Sequence, residues 1–268
     1  LDRLIVALFV IGFGLKLALV PFYFWLPGVA ECASPMTTVL IVSVVDMAAF
    51  GELVHLRESA PWIFTDYAAI WLGLALLSMF GGALLALAHR NLKRMLAFST
   101  IDDMGYLLLG VVVGSAAGIN GALLAALNHA LCKLLLFGAV GVAEYRKGHA
   151  LTLDDRGLAG AYPVSAAAFI AGALWMLGVP PLFGFAGRWR LYLAGVEYGG
   201  APLVIVMALA TGLALLYFVR AIHRVWFGRA EEATQAGEPG LAAAVPVFLI
   251  VLLLLAGLIP GWLTGWMG

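Results

Sequence analysis

Lysine, aspartate and histidine side chains embedded in apolar sequence are the residues most able to do chemistry in this chain. Lys16 lies in the apolar run Leu4–Val20 with no other charge within ten residues on either side. Lys133 lies in Ile119–Ala143, one helical turn after His129, so that the two share a helix face. Asp46 is flanked by Val44, Val45 and Met47, while Asp102, Asp103 and Arg188 stand in or beside further apolar runs. The chemistry open to such a set is proton transfer. Buried lysines beside carboxylates exchange protons near neutral pH, and histidine does so with almost no help from its surroundings. Lys16, His129 and Lys133 are therefore carrier candidates, and Asp46 is either a carrier or the partner that tunes a lysine. Arginine stays protonated, so Arg188 reads as a fixed positive charge that repels or gates.

Blander readings stand beside these. Asp102 and Asp103 read equally as capping residues or as the cytoplasmic end of a span, and His129 alone would pass for a satisfied core histidine. Arg220, His223 and Arg224 read as a basic anchor at a span end, and Trp62, Trp71, Trp262 and Trp266 as interfacial belt residues. His55, His89 and His149 lie at span ends and take no role. Cys32 and Cys132 form neither a disulfide framework nor a CxxC pair. No His/Cys/Asp/Glu cluster has metal-ligand spacing, no glycine loop fits a nucleotide, and no nucleophile–base constellation stands out. No cofactor site is expected in this chain.

The elements that must position these residues are membrane helices. Of 268 residues 64% are hydrophobic and only 11% charged, with 15 basic against 15 acidic side chains, so no basic footprint for nucleic acid exists. Apolar stretches long enough to cross ~30 Å of hydrocarbon recur throughout. Eight spans are expected, at about 4–26, 36–56, 67–88, 95–115, 119–143, 161–199, 203–224 and 241–266. An ammonium at the centre of such a span costs roughly 2.5–3.5 kcal/mol on insertion scales, which a chain sustains where the charge is paired or used. Two spans should break: the first at Pro21, just after Lys16, and the sixth at Gly178-Val179-Pro180-Pro181. Breaks at membrane depth are tolerated where protein or a water-filled cavity receives the exposed backbone, and in transporters they mark ion paths; a simple packing kink is the other reading of each.

Arg90, Lys93, Arg94, Arg146, Lys147, Arg156, Arg220, Arg224 and Arg229 fall on one side of this arrangement, and little besides Arg3 and Arg57 on the other. The positive-inside rule makes the first side cytoplasmic, in a bacterial inner membrane, with both chain ends on the other side. Leu1 is not Met and leads almost directly into a span, which is expected of the later part of a longer chain.

Four motifs then carry a family resemblance. Gly14-Leu15-Lys16-Leu17-Ala18-Leu19-Val20-Pro21-Phe22-Tyr23-Phe24-Trp25-Leu26-Pro27, followed by Ala33-Ser34-Pro35, resembles the lysine-bearing broken helix of the antiporter-like subunits (L, M and N) of respiratory complex I, relatives of Mrp antiporters and energy-converting hydrogenases. Asn91–Ile101, Asn128-His129-Ala130-Leu131-Cys132-Lys133 with Phe137, and Gly178–Arg188 continue it in the family's order. The resemblance implies an all-α membrane fold built from inverted five-helix repeats. Residues 1–56 would be the last two helices of a first repeat, 57–225 a second repeat, and 226–268 a cytoplasmic linker with a terminal helix. It also implies that Lys16 belongs to a first half-channel and pairs with a glutamate upstream of Leu1, that His129 and Lys133 form a central relay, and that Arg188 occupies the terminal position of the outward path. Quinone, flavin and Fe–S groups would reside only in partner subunits.

Several residues depart from that pattern. Tyr23 replaces a common histidine, Asp46 stands where a lysine is usual, Arg188 replaces a titratable residue, and Asp102-Asp103 replace a small-plus-histidine pair. Three functions remain open on these residues. One is a proton- (or Na⁺-) translocating subunit of a redox-driven complex, with Lys16 and Asp46 as an exchanging pair. The others are a non-transporting scaffold and an Mrp-type cation/proton antiporter subunit.

Overall fold

A computed structural model describes residues 1–228, 238 and 240–258. Arg229, Trp262, Trp266 and the end of the eighth expected span lie outside the described residues. Eleven α-helices are described: α1 Asp2–Lys16, α2 Trp25–Cys32, α3 Pro35–Leu40, α4 Asp46–Ser59, α5 Trp62–Thr65, α6 Ala68–Ala88, α7 Leu92–Val113, α8 Ala116–Lys147, α9 Pro163–Leu177, α10 Phe183–Ala221 and α11 Gly240–Leu258. The π turn Ile41–Val45 joins α3 to α4, and a second one, Ile222–Trp226, extends α10. A lone antiparallel bridge, Asn91 to Thr152, is the β pairing among the described residues.

α7 is the axis of the molecule. It is apolar on every side apart from a few polar groups, and nearly its whole length is buried, as a helix without a polar face must be. Its start is fixed by Asn91, whose Oδ1 accepts the N–H of Arg94 at 3.0 Å. Ser115 caps α8 in the same way, accepting the N–H of Gly118 at 3.2 Å. The two caps leave Asp102 and Asp103 deep inside α7, neither capping it nor ending it.

Five helices among the described residues are long and apolar enough to cross a membrane: Pro35–Ser59, Ala68–Ala88, Leu92–Val113, Ala116–Lys147 and Phe183–Trp226. The expected count of eight is not confirmed by length and composition, for two physical reasons. The first and sixth expected spans are divided by their proline breaks, leaving α1 and α9 with 15 residues each. That is about 22 Å of helix, short of the hydrocarbon core. The second reason is that α10 joins two expected passes. At Gly200 (φ 60°, ψ −156°) it folds back on itself. Tyr192 then meets Thr211 through their hydroxyls at 2.8 Å, and a Cβ on Gly195 would touch the Met207 sulfur at 2.7 Å, so the two halves pack antiparallel.

One end of the bundle is laced by ion pairs. Arg90 pairs with Asp154, Lys93 with Glu144 at 3.2 Å, Arg94 with Glu31 at 3.0 Å and Lys147 with Asp155 at 2.9 Å. The Arg220 guanidinium donates to the carbonyls of Ala86 and His89 at 3.2 and 2.9 Å, closing the C-terminal end of α6. Arg220 thus has a packing task besides its charge. Trp71 is fully buried and donates its indole N–H to the Ile63 carbonyl at 3.0 Å, so it is a core residue and not part of an interfacial belt.

Candidate ion-translocation site

The buried charged groups converge where α7, α8 and α10 meet below the end of α9. Asp103 of α7 is the hub. Its Oδ2 accepts from His129 Nδ1 at 2.8 Å and its Oδ1 from Arg188 at 2.9 Å, with the Asp103 side chain 6% exposed. A carboxylate holding imidazole Nδ1 fixes the tautomer and leaves Nε2 as the free basic nitrogen. In His129 that Nε2 is buried and has no hydrogen-bond partner among the described residues. Asp102 points elsewhere, accepting the Tyr217 hydroxyl at 3.0 Å.

Lys133 follows His129 by one turn of α8 and is completely buried. Its ammonium donates to the Ser99 hydroxyl at 2.6 Å and to the Leu96 carbonyl at 2.9 Å, both on α7. Asp46 is also fully buried, and neither of its oxygens has a hydrogen-bond partner among the described residues. The π turn that precedes it rests on α8, the Ser43 hydroxyl donating to the Ala130 carbonyl at 2.8 Å.

The second break supplies the third charge. Gly178 ends α9 with φ +70°, the left-handed region that glycine enters without strain, and a Cβ there would lie 2.8 Å from Arg188 Cβ. Gly184 lets α10 start against the end of α9, since a Cβ would lie 1.9 Å from the Trp175 carbonyl oxygen. Asn128 donates its amide to that same carbonyl at 3.1 Å. Arg188 can therefore reach back to both Asp103 and the Met176 carbonyl, at 2.9 and 3.0 Å, with its guanidinium 3.9 Å from the Tyr106 ring centroid.

Lys16 stands apart from this group. It ends α1 just before the break, where Ala18 takes φ 49°, and its ammonium pairs with Glu52 of α4. Asp46, the partner expected for it, is buried at the start of α4, and Lys16 takes Glu52 in its place. The glutamate expected upstream of Leu1 is matched in kind by Glu52 within the chain.

Of the five residues singled out by sequence, the fold thus gathers His129, Lys133, Arg188 and Asp46 around α7 and α8 and leaves Lys16 with its own partner. Ser99, Tyr106 and Glu52 are residues that sequence reasoning passed over, and Asp103, read there equally as a cap or a span end, is the hub. Asn91-Leu92-Lys93, taken as a helix cap, places Asp103 mid-helix and was the available signal; the Lys16–Glu52 pairing left none. No group of three or more His, Cys, Asp or Glu side chains able to hold a metal occurs among the described residues.

Residues 2–214 match the family described as NADH:quinone oxidoreductase/Mrp antiporter, TM. The chain is 34% identical over 247 residues to NADH-quinone oxidoreductase subunit N of Salinibacter ruber, an alignment covering 90% of this chain and 48% of that protein. Against subunit N of Desulforudis audaxviator it is 31% identical, with 93% and 52% covered. It spans about half the length of the curated relatives it matches. The respiratory complex I structure from Thermus thermophilus with bound aureothin superposes at TM-score 0.80 with 29% identity, covering 96% of this chain and 57% of that one. A Dietzia Mrp complex chain superposes at TM-score 0.86 and 24% identity, covering 97% and 57%, which is a likeness of fold. The matched range contains both breaks and the α7–α8 charge cluster, and the chain belongs to the NADH:quinone oxidoreductase/Mrp antiporter transmembrane family.

Proposed function

We propose that this chain moves protons as one membrane subunit of a larger redox-driven assembly resembling NADH-quinone oxidoreductase. The observation that carries the reading is the buried array across α4, α7, α8 and α10. Asp46, Lys133, His129, Asp103 and Arg188 occupy positions where ionisable groups are expensive, and expensive groups inside a membrane protein mark ion paths. Lys133 is the central carrier, Ser99 its hydroxyl neighbour, and His129, held by Asp103, the next acceptor through its free Nε2. Asp46 modulates Lys133 from α4, and Lys16 with Glu52 forms an entry pair that can open and close. Arg188 ends the array as a fixed charge.

The relatives named subunit N favour a complex I-like setting, with other membrane subunits as partners and with quinone, flavin and Fe–S groups carried by those partners. The bacterial inner membrane, with the ion-paired basic end of the bundle facing the cytoplasm, is the setting that the positive-inside rule favours. The division into residues 1–56, 57–225 and 226–268 belongs to the same proposal.

Lys133→Ala in the assembled complex tests the reading. Proton pumping into vesicles is expected to fall at least roughly tenfold, the scale of losing one positioned acid–base group. Normal pumping by both Lys133→Ala and Lys16→Ala overturns it. One observation favours a scaffold instead: the Arg188–Asp103 pair ties up one face of the array with a group that never releases a proton. That reading expects full pumping in Lys133→Ala and loss of assembly in Arg188 variants. An Mrp-type sodium function expects Na⁺-dependent pumping that Asp46→Asn abolishes.

A further inference from the structure

The end of α9 is built like a cation site. The last carbonyls of a helix carry partial negative charge and lack intrahelical partners. Here the Trp175 carbonyl is satisfied by the Asn128 amide at 3.1 Å and by the Gly178 N–H at 3.1 Å. The Met176 carbonyl points instead at the Asp103 carboxylate's neighbourhood, and the Tyr106 ring offers its electron-rich face on another side. Discontinuous membrane helices present helix-end carbonyls to a monovalent cation, and a carboxylate oxygen and an aromatic face attract the same charge. One cation already sits among them. It is the guanidinium of Arg188, at 2.9 Å from Asp103 Oδ1, 3.0 Å from the Met176 oxygen and 3.9 Å from the ring centroid.

We propose that Arg188 is a tethered cation filling a monovalent-cation site formed by Asp103, the Met176 carbonyl and Tyr106, and that its presence keeps Na⁺ out and leaves the proton as the transported ion. The second half of this statement rests on the proton-path reading above; the cation site itself stands on the geometry of the break. Asp103 explains why the position must be filled. A buried carboxylate facing a helix C-terminus stays ionised only with a counter-charge beside it and otherwise takes up a proton. Guanidinium suits the site better than ammonium because its planar fork reaches the carboxylate and the carbonyl together while its face lies on the ring. Removing the tether while leaving the oxygens should convert a built-in cation into an exchangeable one.

The experiment uses the intact complex containing the full-length subunit, purified and reconstituted in choline-based buffer. In Arg188→Ala the melting temperature is expected to drop, and to rise again when millimolar NaCl or guanidinium chloride replaces choline, with guanidinium the more effective. Pumping should follow, with a roughly tenfold loss recovered by the same cations. The unmodified complex and Arg188→Lys, which both keep a tethered charge, should show no such cation response. Identical melting in choline, sodium and guanidinium for Arg188→Ala overturns the cation site. If Arg188→Ala does not assemble, Arg188→Gln keeps the bulk and carries the same comparison, a cation-responsive melt supporting the site and a cation-blind melt overturning it. A cation-responsive melt together with normal pumping by Lys133→Ala would leave the site standing and remove the proton path, so the two failures are distinguishable.

Discussion

The two proline breaks of this chain each carry a cationic side chain, and the two cations are held in opposite ways. Lys16, before the first break, pairs with Glu52 alone, and the two side chains are 48% and 58% exposed within the chain. Arg188, after the second break, is 11% exposed against an Asp103 that is 6% exposed, and a carboxylate, a carbonyl and a ring fix it from three directions. The first pair has a single contact and long flexible stems, so its partners exchange at little cost. The second is over-determined: Asp103 already holds His129, Arg188 already holds α9, and neither can leave without stranding the other. A break by itself therefore does not specify mobility. What decides it is how many separate elements share the charge next to it.

The contrast is open to direct attack, and the largest effect should come from its rigid side. Asp103→Ala strands both Arg188 and His129, and the assembled protein is expected to lose about 3–5 kcal/mol of stability, the usual cost of breaking a buried pair. Thermal denaturation of the purified complex reads this out, and a loss under about 1 kcal/mol would make the two pairs equivalent. On the mobile side, Glu52→Gln breaks a single contact and is expected to cost clearly less stability than Asp103→Ala. Its effect should appear in vesicle pumping rates instead, and a stability loss as large as that of Asp103→Ala would erase the distinction. The smallest effect belongs to Asp155, outside the spans. Burial pushes its carboxyl upward, but the Thr152 N–H and the Lys147 ammonium outweigh this and hold it below the usual carboxylate range. A carboxyl depressed by folding stabilises above its unfolded value, near 3.9, and that contribution is lost as pH falls through the lower folded value. Hydrogen exchange over residues 149–157, corrected for intrinsic rates, should therefore stay protected through the ordinary carboxylate range and open only below it. In Asp155→Asn the loop should be less protected at neutral pH and lose this acid transition.

Much of this was legible before any coordinates, and the reasons differ from residue to residue. Lys16, Asp46, His129, Lys133 and Arg188 announce themselves because a charge in an apolar run is costly wherever the chain folds. Pro21 and Pro180-Pro181 announce the breaks because proline's missing N–H is a local property. Asp103 was obscured by its neighbour: an adjacent acidic pair looks like a polar helix end, and only Asn91 as a cap moves it to mid-helix. Glu52 was obscured by distance, since it lies 36 residues from Lys16 and nothing local encodes that meeting. Asp46 and Lys16, taken as partners on charge alone, are divided by packing, because the turn before Asp46 rests on α8. The turn at Gly200 falls between two expected spans, 161–199 and 203–224, so that boundary was legible too, while the full count of eight is not confirmed by helix length and composition.

The π turn Ile41–Val45 fixes more than the path of the backbone. A residue added to one helical turn rotates everything after it by about 100° relative to an unbroken α-helix. The whole of α4 is dialled by that one step, so the burial of Asp46 and the azimuth of Glu52 toward Lys16 are set jointly. Two acids with different surroundings are thus mounted on a single shaft, and deleting one residue within the turn would misaim both at once.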